Sequence, residues 1–150
     1  MLIKNFINLF ERDLDKLQLE ISSYSSEKNM WKVDGCIINS SGNLCLHLLG
    51  NLSHFISKEI GGFDYKRDRD FEFNGKDVPK AELLKLIEKT KINIIVSLEG
   101  LDEFVLAKDY PLEVFGSKMT YFFFLLHLYG HFNYHLGQIN YHRRLLDSKD

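Results

Sequence analysis

Cysteine and proline are scarce: the 150-residue chain has two of each. Cys36 and Cys45 are too few for a disulfide framework, and no zinc-type C-x-x-C pair occurs. A basic excess is also missing. Lys plus Arg number 19 against 21 Asp plus Glu, a formal net charge of −2. That balance excludes a general nucleic-acid or membrane-surface binder, which carries a basic stripe. No apolar run reaches the ~20 residues that span a bilayer. The longest, Met119 to Tyr129, is interrupted by His127. Met1 to Phe10 is apolar at helical spacing but has no small-residue cleavage site, so it does not read as a secretory signal. The expectation is a soluble, cytoplasmic, thiol-reduced protein forming one domain over residues 1–150.

Hydrophobic residues make up 45% and charged residues 27%, which is a globular composition. Four helical segments stand out. In the first, residues 2–23, Leu2, Phe6, Leu9, Phe10, Leu14, Leu17 and Ile21 recur at three- and four-residue steps. Residues 31–39 read as an irregular connection with Ile37 and Ile38 tucked inward. The second segment, residues 41–60, is capped by Ser40 or Ser41 and ended by Gly61-Gly62. Residues 63–76 read as a long polar loop, with Lys66-Arg67-Asp68-Arg69-Asp70 as a solvated surface run. The third segment starts at Asp77 as N-cap, with Pro79 in its first turn, and closes at Gly100. Residues 101–116 are a second irregular stretch. The fourth segment runs from Ser117 to about Asp147. The pattern is all-α, a four-helix bundle whose connections are long for simple hairpins.

The chain has six histidines. On a helical wheel, His127, His131, His135, His142 and Gln138 fall within a sector of about 80°. His131 and His135 stand one turn apart, so their imidazoles can converge on one ion. His127 and His135 are ~12 Å apart along the axis and cannot. The metal pair is therefore His127/His131 or His131/His135. A third imidazole from the second segment is His47 or His54, which point in similar directions. Cys45 lies about 200° from His47 on the same wheel and reads as core. Three imidazoles with an open fourth position are the layout of a catalytic zinc site; nickel, copper and iron suit imidazole too.

Other chemistries are excluded. His131-Phe132-Asn133-Tyr134-His135 lacks the glutamate of H-E-x-x-H, and no E-x-x-H of the di-iron bundles occurs. G-x-S-x-G, P-loop, G-x-G-x-x-G and P-C-x-x-C motifs are absent as well.

Leu46-His47-Leu48 with Gly50-Asn51 resembles the second-helix motif of the DinB/YfiT-like metalloenzyme superfamily. His131-Phe132-Asn133-Tyr134-His135-Leu136-Gly137-Gln138-Ile139 resembles its fourth-helix H-x-x-x-H-x-G-Q motif. Gly61-Gly62 through Asp70 looks like one uncharacterised branch. The resemblance implies an up-down-down-up four-helix bundle with a long crossover between helices two and three. It implies that His47, His131 and His135 hold a divalent metal. Relatives include transferases and isomerases that use low-molecular-weight thiols such as bacillithiol or mycothiol, and many are dimers. One departure is Leu136, where many relatives carry arginine after the last histidine.

The expected function is a metal-dependent enzyme acting on a small molecule, foremost a thiol transferase. A glutathione-like, bacillithiol or mycothiol cofactor would bind the open metal position as thiolate. Asn51 and Gln138 would support the ligands or bind substrate; His127 and His142 would bind substrate or move protons. Lys66, Arg67 and Arg69 are the candidate cations for an anionic cofactor. Two alternatives are a hydrolase that activates water and a non-catalytic bundle of the stress-response type that binds a partner. The aromatic run at Tyr121–Phe124 fits a core or a homodimer interface.

Overall fold

The computed structural model describes residues 1–147. They are all helical in architecture, with no strand among the described residues. Five α-helices occur in the order α1 (Leu2–Ser22), α2 (Ser41–Leu52), α3 (Arg69–Asn74), α4 (Lys80–Glu99) and α5 (Tyr121–Leu146). Ser53–Lys58 continues α2 as a wider π turn.

The four long helices touch as a ring, α1 against α4 and α5, and α2 against α4 and α5. Phe10, Leu14, Leu17 and Ile21 from α1 are fully buried at the centre. They meet Leu48, Leu52 and Ile56 from the second segment, Leu83, Ile87, Ile94 and Leu98 from α4, and Phe132 and Ile139 from α5. Every residue of α2 is buried. Phe6 meets Phe122, Phe10 meets Tyr129, and Glu20 meets Asn140 and Arg143, so residue numbers rise together along α1 and α5. Between α1 and α4 they run oppositely, with Asp15 on Lys91 and the Ser22 carbonyl near Lys80.

One buried charge ties α1 to α5. Asp13 is fully buried and accepts from Arg12, Tyr129 and Asn133 at 2.7–3.1 Å. Burial works against its carboxylate, and these hydrogen bonds outweigh it, holding its pKa well below the usual aspartate value.

Ser40, one of the two serines expected, caps α2, its Oγ accepting from Asn43 N. Two helix starts depart from the sequence expectation. Asp77 does not cap α4: it lies at φ 57°, and the following Val78-Pro79 is pre-proline backbone, so helix begins at Lys80. Residues 117–120 are not helical, because Tyr110 N bonds Met119 O and Tyr121 N bonds Lys108 O. Thr120 then caps α5 through Phe123 N. Ile38 is 79% exposed rather than tucked inward.

The expected loop over residues 63–76 contains α3. Asp68 caps it by accepting from Phe71 N, and Gly75 closes it on the Phe71 carbonyl. Asn43 of α2 pins it from below, its Nδ2 donating to the carbonyls of Glu72 and Gly75. These contacts set α3 against α2 beside His47.

Candidate metal centre

His47 on α2 and His131 and His135 on α5 converge. His47 Nε2 lies 3.2 Å from His131 Nε2, which lies 3.2 Å from His135 Nε2. All three donor atoms fall within 4.8 Å of one another. The helix geometry accounts for this. His131 and His135 are stacked one turn apart on α5, and His47 faces them from the antiparallel side. His54 is not in this group and does not line the adjacent cavity. The π turn that contains it begins six residues after His47.

The outer nitrogens set the tautomers. His47 Nδ1 donates to Glu72 Oε2 at 2.9 Å, since a carboxylate only accepts. His135 Nδ1 donates to Gln138 Oε1 at 2.6 Å. Both rings therefore aim an Nε2 lone pair inward. His131 Nδ1 is buried with no partner among the described residues. Burial, aided by the neighbouring imidazoles, pushes the His131 pKa down to about 4, so the ring is neutral at physiological pH. Burial lowers His135 as well.

Glu72 is the residue the sequence reading missed. It is 3% exposed and lies in the short α3. Arg67 grips it twice, Nε to Oε1 at 2.7 Å and Nη2 to Oε2 at 2.9 Å. Burial opposes its charge, but His47 and Arg67 together hold its pKa below the ordinary glutamate value. Lys66, Asp68, Arg69 and Asp70 of the expected solvated run are exposed, but Arg67 is half-buried on Glu72. Gly50 makes room for it: a Cβ there would lie 2.1 Å from Glu72 Oε1 and 2.7 Å from its Cδ. Gly50→Ala is therefore expected to displace the carboxylate and free His47 to rotate. The expected loss is about 10–100-fold in metal affinity, the size seen when a ligand's outer partner is removed. Competition against a chelating dye measures it.

A cavity of about 380 Å³ opens beside the histidines. Phe55, Phe73, Phe115 and Phe124 wall it, and Asn51, Arg67, Arg69 and His127 supply its polar atoms. His127 is exposed, stacks 6.0 Å from Phe124 and stands 6.3 Å from the His131 ring. Gln138 reaches the site only through His135. His142 lies elsewhere, with Nδ1 on Tyr24 Oη and Nε2 on the Lys32 carbonyl at 2.9 Å. Lys66 lines a different depression. Arg143 pairs with Glu20, and Arg144 lies over Tyr141. Cys45 is fully buried, its thiol pushed up to about 12 by burial.

An all-helical chain with three imidazoles gathered between two of its helices is the class this geometry defines. Residues 2–150 match the family described as Protein of unknown function (DUF1572), and the chain belongs to it. A search of curated proteins finds no match.

Proposed function

We propose that this protein is a divalent-metal-dependent enzyme of the DinB/YfiT-like type, transferring a low-molecular-weight thiol to a small electrophile. The observation that carries it is the tautomer arrangement. Glu72 and Gln138 take the outer N–H groups of His47 and His135, which leaves inward lone pairs on one point with neutral His131 between them. Such a donor set fits zinc, and nickel or iron as well. A divalent ion held there would supply Lewis acidity that favours the thiolate form of a bound thiol.

The residues divide the remaining work. His47, His131 and His135 hold the ion. Glu72 and Gln138 orient two of them. Asn51 and Arg69 face the substrate side, and His127, the cavity's imidazole outside the triad, takes up or returns a proton at its ring nitrogen. The thiol reading is favoured over water activation by one feature. Among the described residues the one carboxylate at the site, Glu72, is already committed to His47 and Arg67, so water would have only His127 as its base, whereas a thiol on a divalent ion gives up its proton outright. The test is electrophile consumption by zinc-loaded protein with and without bacillithiol, mycothiol or glutathione. Turnover should require a thiol; thiol-independent turnover supports the hydrolase instead, and no turnover in any arm overturns the transferase reading.

The contact registers support an up-down-down-up bundle, with residues 59–79 as the crossover that brings α3 to the site. The outer face of α5 supports a homodimer. From Tyr121 to His142 the helix has no Asp, Glu, Lys or Arg. Phe123, Leu126, Tyr134 and Tyr141 are 51–66% exposed on that face. A Cβ at Gly130 or Gly137 would meet open space. Two tyrosines a heptad apart and two glycines a heptad apart make knobs and notches on one surface, which suits a second copy in a two-fold contact. With Leu145, these side chains bury roughly 600 Å² per copy, within the range of a stable dimer. Sedimentation should give a dimer for the native chain and a folded monomer for Gly137→Glu; a monomeric native chain would sink this interface.

A further inference from the structure

We propose that the cavity beside the histidines binds a small aromatic carboxylate that also carries a hydroxyl group. This rests on the same cavity being the substrate site, but it does not depend on the metal.

The wall determines the ring. Phe55 meets Phe124 edge-on at 5.1 Å, Phe115 meets Phe124 edge-on at 6.1 Å, and Phe73 stands 4.8 Å from His47. Rings set edge-to-face present both faces and edges to a guest, and a flat aromatic guest meets each with favourable geometry. At about 380 Å³ the cavity is at the small end of ligand sites, sized for one substituted ring. A long peptide-like thiol uses little of such a wall.

Charge at the rim determines the anion. Arg67 is neutralised by its two bonds to Glu72. Arg69 has no carboxylate within salt-bridge distance among the described residues, and its guanidinium lies 5.8 Å over the Phe73 ring. It is an uncommitted fork beside an aromatic face, which is the arrangement that takes a carboxylate attached to a ring. Among the described residues no carboxylate lines the cavity.

The third feature is Asn51. It lines the cavity, is 8% exposed, and its Oδ1 is buried without a hydrogen-bond partner among the described residues. A buried amide oxygen left unpaired is unfavourable, because it has lost its water without gaining a donor. A ligand hydroxyl, which donates and accepts, satisfies the amide in either orientation.

The probe is 4-hydroxyphenylacetate, titrated by calorimetry into the full chain, both chelator-treated and zinc-loaded. Saturable binding is expected in both forms. Removing the carboxylate (4-methylphenol) and replacing Arg69 with Gln should each weaken binding about tenfold. Removing the hydroxyl (phenylacetate) should weaken it for the native chain but not for Asn51→Leu. N-acetylcysteine, an anion and thiol without a ring, should compete poorly in the chelator-treated form. The proposal is overturned if 4-hydroxyphenylacetate binds neither form, if Arg69→Gln changes nothing, or if N-acetylcysteine binds as well through Arg69. Zinc content is measured on the same samples. Loss of zinc binding with retained probe binding removes the metal reading alone, and the converse removes this one alone.

Discussion

His131→Ala is expected to leave the protein without tightly held metal. Native protein purified without an affinity tag should carry about one divalent ion per chain by elemental analysis, and the variant should carry almost none. His131 Nε2 stands between the other two, 3.2 Å from each, so no pair of remaining ligands compensates. Three-ligand sites reduced to two lose their geometric hold on the ion. His47→Ala should behave alike, whereas His54→Ala should keep its metal. Native protein free of metal, with stability indifferent to chelator, would remove the metal reading altogether. Fold loss is not the expected cause, because a neutral half-buried imidazole at the helix surface is replaced by a good helix former.

Asp13→Ala should destabilise the protein by about 3 kcal/mol, the order for removing one partner of a buried, hydrogen-bonded charge. The carboxylate is fully buried and joins α1 to Tyr129 and Asn133 of α5. Removing it leaves those donors facing a gap. The pH dependence has a definite sign. The folded-state pKa is depressed, so the stabilisation is fully present above the unfolded value near ~3.9 and is lost as pH falls through the folded value. Urea unfolding at pH 7 should therefore show the full deficit. Below pH ~3.9 the difference between native chain and variant should narrow. An equal deficit at all pH values would mean that packing, not charge, holds this position.

Much of the fold is legible because it rests on periodicity. The stripe from Phe6 to Ile21 predicts α1 within a residue at each end, and Ile94 and Leu98 place residues 92–96 in a helix despite their β-branched side chains. Histidine spacing brings His131 and His135 together, but it cannot choose between His47 and His54. That choice depends on how α2 faces α5, and a π turn alters the facing within the same segment. Glu72 escapes for a similar reason. It sits in a six-residue helix too short to show a period, just beyond a charged run that reads as surface. Its local signals were Asp68 before, Gly75 after, and a glycine in mid-helix at Gly50. The last is the most telling, since glycine inside a helix costs ~1 kcal/mol and here its gap is filled by the carboxylate.

The Asn43 clamp and the Arg67–Glu72–His47 chain have a thermodynamic consequence. They make the crossover and the histidine cluster one linked equilibrium. Whatever ion the cluster favours tightens the hold on His47, and by reciprocity it tightens the seating of α3 to the same degree. On the proposed metal reading, residues 59–79 thereby serve as a gauge of occupancy. Amide exchange and proteolytic cutting between Gly62 and Val78 should slow as the cluster fills, and they report the load without any spectroscopic handle on the metal itself.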